Sequence, residues 1–231
     1  MPIQPHLHAR PGQVTGAAPS GLYTLPIGGS RDSYLYVPPQ YDPARALPLV
    51  LLLHGAGGSA HDGLRIFLHR ADLDGLMLVA PASQASSWDI IVKRAYGKDI
   101  DLADRALDYV FSNYAIVPGK VAVGGFSDGA SYALTLGLAN GDLFSHVIAF
   151  SPGFIGPVEA RGVPKVFMSH GTRDSVLPID DCSRRLAPVL RSAAYPLVYH
   201  EFNGGHEIPA EEVRFAIDWF ANDAAQAGAR A

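Results

Sequence analysis

The sequence predicts an α/β protein: a mostly parallel, doubly wound sheet of eight strands, opened by an antiparallel N-terminal hairpin. Three observations carry that prediction. Short apolar runs alternate with helical patterns along the 231-residue chain, and no linker or internal repeat interrupts them. In addition, the run Val121-Ala122-Val123-Gly124 passes straight into Gly125-Phe126-Ser127-Asp128-Gly129, with an apolar helical segment behind it. A 48% apolar and 17% charged composition supplies a sizeable core, and the length suits one large domain. The expected organisation is an arm over residues 1–20, one domain over 21–223 and a tail over 224–231, with fraying from Asn222.

Taken in order, the first strands are expected at residues 21–26 and 33–38, joined by the turn at Gly28-Gly29-Ser30. So short a connection makes them an antiparallel pair. Residues 49–54 and 76–80 are continuous apolar runs, as strands buried on both faces require. Further strands are expected at 120–125, 146–150, 164–169 and 197–202. Residues 99–114 read as an amphipathic helix with Ile100, Ala103, Leu107, Val110 and Tyr114 on one face. Asp99, Asp101 and Asp104 crowd its first turn, where the helix dipole favours anions. Residues 127–138 are apolar nearly all round, which suits a helix beside a central strand. Residues 180–193 also read as helix, with Pro188 expected to kink or interrupt it. Pro209 opens the last helix, whose inner stripe is Val213, Ile217 and Phe220. In such a sheet a site belongs at the carboxyl ends of the strands.

Composition excludes several classes of function. A net charge of −4 leaves no basic stripe for nucleic acid. The longest apolar run, Leu47–Leu53, is too short to span a bilayer. Residues 1–20 lack the apolar region of a signal peptide, and a single cysteine, Cys182, forms no internal disulfide, so a cytoplasmic location is expected. Cys182 reads as a small core residue. His6 and His8 read as part of a flexible polar arm rather than a metal site. Gly28-Gly29-Ser30 has no helix behind it and is not a dinucleotide loop. No cofactor and no metal are expected.

The chemistry centres on Ser127. A serine turning sharply from strand to helix needs small neighbours two positions away, and Gly125 and Gly129 supply that clearance. Gly125-Phe126-Ser127-Asp128-Gly129 resembles the nucleophile elbow of the α/β-hydrolases, where an acid and then a histidine follow the serine along the chain. The resemblance implies Asp174, in His170-Gly171-Thr172-Arg173-Asp174, as the acid. Its rivals, Asp180 and Asp181, read as acidic residues in the first turn of the next helix. The histidine is His206, in Gly204-Gly205-His206, directly after the last strand. His200 lies inside a strand and His170 at the end of one, so both suit structural roles better. Two backbone N–H groups should form the oxyanion hole. One is that of Asp128, and the other that of Ala56 in His54-Gly55-Ala56-Gly57-Gly58.

These motifs, with Phe150-Ser151-Pro152-Gly153, make the chain similar to the phospholipase/carboxylesterase branch, which includes acyl-protein thioesterase-like enzymes. That branch more often carries glutamine where Asp128 stands, and a carboxylate there disfavours anionic substrates. The connection at residues 151–163 is too short for a helical lid. Trp88, Phe154, Val176 and Leu177 are the candidate substrate contacts, with core packing the other reading of Trp88. The resemblance implies a cofactor-free serine carboxylesterase whose partner is a small-molecule ester, short-chain or aromatic. Alternatives are a thioesterase or lysophospholipase, a peptidase of prolyl-oligopeptidase type, and a ligand receptor. The peptidase reading lacks a propeller domain, and a receptor needs no nucleophile.

Overall fold

The computed structural model describes residues 4–16 and 18–227, with 223–227 described by backbone alone. Its strands are β1 (Gly21–Thr24), β2 (Tyr34–Val37), β3 (Leu47–Leu53), β4 (Met77–Ala80), β5 (Ile116–Phe126), β6 (His146–Phe150), β7 (Lys165–Gly171) and β8 (Leu197–Phe202). They form one sheet in the order β1-β2-β4-β3-β5-β6-β7-β8. Only β2 runs against its neighbours, β1 and β4; every other pairing is parallel. The pairing of β2 with β4, across a swapped β3, is invisible to local sequence pattern.

Period-two alternation divides the core into two layers. Leu49, Leu51 and Leu53 of β3 face one layer with α4 (Lys98–Asn113) and α5 (Asp128–Ala139). Val50 and Leu52 face the other with α1 (Ala60–Arg65), α2 (Leu68–Asp74) and α7 (Ala210–Ala227). The one-turn helix α3 (Asp89–Val92) and α6 (Ser183–Ser192) add Ile90, Ala187 and Leu190 to the first of these layers. α1, α2 and α3 are too short to show a helical period in the sequence. What starts α1 is a capping box in which Ser59 and Asp62 satisfy each other and the first-turn backbone.

Three expectations change. Asp180 and Asp181 precede α6 instead of opening it, and they pair on the surface with Arg184 and Arg185. α6 itself runs on through Pro188 to Ser192. α7 continues past Asn222 to Ala227, so residues 224–227 of the expected tail are helical; residues 228–231 lie outside the described residues.

The N-terminal arm is also seated rather than loose. Leu7 is buried, and its N–H donates to Asn140 Oδ1 at 2.7 Å while Asn140 Nδ2 donates to the Pro5 carbonyl at 2.7 Å. Asp104 accepts from the His8 and Ala9 amides, and Arg10 pairs with Asp142. Among the described residues no group of three or more His, Cys, Asp or Glu is placed to hold a metal ion. No described helix is long and apolar enough to cross a membrane.

Register is what matters for a site. Leu53 pairs with Gly125, Phe126 with Phe150, and Gly171 with Phe202. The residues that follow, His54, Ser127, Ser151, Thr172 and Asn203, therefore leave the sheet along one edge.

Candidate active site

Ser127 sits between β5 and α5 at φ 57°, ψ −121°, a backbone conformation that costs a non-glycine residue roughly 1–3 kcal/mol. Neighbours hold it there. Its N–H donates to the Phe150 carbonyl at 2.9 Å, and its own carbonyl accepts the Ser131 amide at 3.0 Å. A Cβ at Gly125 would run into the Gly129 and Leu53 backbone, and one at Gly129 into the Leu53 and His54 carbonyls. That close approach is why small residues flank the serine.

The structure brings Ser127, His206 and Asp174 together. His206 Nε2 lies 2.8 Å from Ser127 Oγ, and His206 Nδ1 lies 2.6 Å from Asp174 Oδ2. A carboxylate only accepts, so the ring proton sits on Nδ1 and leaves Nε2 free to take the serine proton. Asp174 Oδ1 accepts the Val176 and Leu177 amides at 2.9 and 2.8 Å. Burial pushes the Asp174 carboxyl up, but the Leu177 amide, His206 and the Val176 amide outweigh it and hold it below the usual range. The Phe126 ring lies against the imidazole, 4.7 Å between centroids.

Ala56 is exposed in the turn after β3, and Asp128 is the first residue of α5. The sequence did not reveal what fastens the Ala56 turn. His54 Nδ1–H donates to the Gly55 carbonyl at 2.7 Å, and His54 Nε2 accepts the Ser83 amide at 3.0 Å. Those partners dictate a neutral tautomer, and burial lowers the His54 pKa in the same direction. Trp88 Nε1–H donates to the His54 carbonyl at 2.9 Å. Arg31 bridges the Gly58 carbonyl to those of Ser83 and Ala85. Arg31 carries no motif, and only the fold brings it here.

The candidate substrate contacts fare unevenly. Trp88 is fully buried, stacked on Tyr132 at 5.1 Å and 4.8 Å from the His54 ring, so it packs in the core. Phe154 is half-buried against that core, Leu177 packs over Gly153, and Val176 is 64% exposed beside Asp174. A cavity of about 340 Å³ is lined by Gly55, Arg65, Ile66, Phe126, Ile208 and Val213, and none of those four contacts lines it. Asp128 Oδ2 accepts the Ser87 hydroxyl at 2.5 Å, so this carboxylate is already engaged.

A doubly wound sheet with a strained serine at the end of its central strand, and a histidine and an aspartate on neighbouring strand ends, is the α/β-hydrolase fold. The chain belongs to the Esterase family: the family model described as "Putative esterase" matches residues 26–181, which takes in Ser127 and Asp174 but not His206. Among curated proteins it is similar to "Probable feruloyl esterase C" of Aspergillus terreus, 28% identical over 162 residues, or 65% of this chain and 57% of that one. The chain spans about half the length of the curated relatives it matches. Among solved structures it resembles S-formylglutathione hydrolase (FrmB) of Staphylococcus aureus, with TM-score 0.69, 15% identity and coverage of 88% and 100%. It also resembles the ferulic acid esterase AmCE1/Fae1A of Anaeromyces mucronatus, with TM-score 0.62, 19% identity and coverage of 90% and 92%.

Proposed function

We propose that this protein is a serine carboxylesterase that hydrolyses short-chain or aromatic carboxylic esters through an acyl-enzyme. One observation carries the reading: the unbroken relay from Ser127 Oγ through His206 to Asp174, at 2.8 and 2.6 Å. Ser127 attacks the ester carbonyl while His206 Nε2 takes its proton and then returns it to the leaving alkoxide. Water repeats the sequence on the acyl-enzyme. Asp174 stays ionised and holds the imidazolium, and the N–H groups of Ala56 and Asp128 face the developing oxyanion. The feruloyl esterases among the relatives support an aromatic acyl group, and the short connection at residues 151–163 supports a site without a lid. The same reading takes residues 21–223 as the catalytic domain and, on the single cysteine, a cytoplasmic location.

The test pairs labelling with turnover. A fluorophosphonate should label the wild type and not Ser127→Ala, and Ser127→Ala should lose roughly a million-fold in kcat. Across nitrophenyl esters of rising chain length, with methyl ferulate and a thioester alongside, the short and aromatic esters should turn over best, with no jump above the micelle concentration. Substantial residual activity in purified Ser127→Ala overturns the nucleophile; efficiency rising steadily to C16 esters overturns the substrate class.

A further inference from the structure

His170 is the second-to-last residue of β7, fully buried, and the relay above does not use it. It nevertheless touches the relay. Its Nε2 lies 2.8 Å from the Leu177 carbonyl and 3.2 Å from Asp174 Oδ2, and its Nδ1 lies 2.6 Å from Ser183 Oγ at the start of α6. Both oxygens at Nε2 can only accept, so Nε2 must carry the proton; Nδ1 then accepts the Ser183 hydroxyl. A neutral ring suits that environment, since burial lowers the His170 pKa.

Resting on the reading just proposed, we infer that His170 is a positioning residue for the ester hydrolysis: its Nε2–H ties Asp174 and the turn at 174–177 to β7, so that Asp174 Oδ2 meets His206 in one orientation. Asp174 Oδ1 takes two backbone amides, and Oδ2 takes His206 Nδ1–H with His170 Nε2–H alongside. The four acceptor sites of the carboxylate are thus matched by four N–H groups. Without His170, the Leu177 carbonyl loses a donor and Oδ2 keeps only the histidine that it is meant to orient. The turn can then rotate, and the loss falls on the chemical step rather than on substrate binding. Ser183 completes the device by fixing the ring that fixes the acid.

The experiment measures kcat and KM separately for His170→Leu and His170→Gln, alone and combined with Asp174→Asn. His170→Leu removes the donor at similar volume and should lower kcat about tenfold with KM unchanged. His170→Gln can place an amide N–H near the Nε2 position and should recover most of that loss. In the Asp174→Asn background His170→Leu should cost nothing further, because the group it acts through is already gone. An equal fold loss in both backgrounds, or a change confined to KM, overturns the inference. If His170→Leu fails to fold, Ser183→Ala serves instead: a several-fold fall in kcat that vanishes with Asn at position 174 supports the inference, and an undiminished kcat overturns it. A wild type that turns over no ester removes the proposed function and this inference with it. A wild type that is active and disabled by Ser127→Ala, beside a fully active His170→Leu, overturns this inference alone.

Discussion

Asp174 and Asp89 are both buried carboxylates in segments that leave the sheet edge, 6% and 3% exposed, yet the protein treats them in opposite ways. Asp174 receives two backbone amides and His206, and its carboxyl is held below the usual range despite its burial. Asp89 faces a second carboxylate, Asp99, which takes the Asp89 and Gln84 amides; Asp89 Oδ2 takes the Asp99 amide at 3.2 Å. Its Oδ1 is buried with no hydrogen-bond partner among the described residues. Burial first, and then the charge of Asp99, push Asp89 up to about 6. Burial alone therefore does not decide whether a carboxylate is charged. The donors gathered around it, and the sign of its neighbour, do.

The sharpest break of this comparison is Asp174→Asn, which keeps the shape and removes the charge. Turnover near neutral pH should fall by about four orders of magnitude, since an amide can present the wrong hydrogen-bonding face to His206 and lose its tautomer. Steady-state kcat on a nitrophenyl ester checks this, and a loss under tenfold would mean that another group orients the imidazole.

Asp89→Asn should act on stability instead. A carboxyl whose pKa is raised in the folded state binds its proton more tightly there than in the unfolded chain. Its contribution is therefore complete below about pH 4 and is lost as pH rises to about 6. The variant should escape that loss. Chemical denaturation should show little difference from wild type at pH 4 and a gain on the order of 3 kcal/mol at pH 7. A gap that does not widen with pH would show that neither burial nor the charge of Asp99 raises the Asp89 pKa.

The smallest effect belongs to the exposed pair. Asp180 and Asp181 meet Arg184 and Arg185 in open solvent, where such ion pairs are worth about 0–1 kcal/mol. Asp180→Asn and Asp181→Asn should each leave kcat within about twofold and stability within roughly 0.5 kcal/mol. A crippled Asp180→Asn would place the working acid on the wrong loop.

What the sequence displayed, and what it hid, follows the same division. The serine turn is a local pattern, because the glycines that permit it stand two residues away on either side. Asp174 and His206 stand directly after apolar strand runs, and parallel register then carries them to one edge. Contacts that join distant segments left no such trace. The embrace of Asp89 and Asp99 is set by how the loop after β4 folds back onto α4. In the sequence Asp99 reads only as a first-turn acid suited to the helix dipole. Trp88 shows the same limit: a tryptophan after a strand suits a pocket wall and a core equally, and in the structure it is buried beside the Tyr132 and His54 rings. Arg31 lies far in sequence from every catalytic motif and still staples the Ala56 turn.

The seated N-terminal arm has a consequence in time. Leu7 hangs on Asn140, 133 residues further along the chain, and Ala9 on Asp104, 95 residues on. A ribosome adds about 5–20 residues each second, so Leu7 waits on the order of ten seconds after its own synthesis before the side chain that receives it exists. Contacts of such long sequence separation also close slowly, because the loop entropy is lost before any contact compensates for it. The arm around Leu7 therefore cannot be seated until α5 and the Asn140 that follows it have been made, and until then the Asn140 side chain lacks the two partners that the arm supplies.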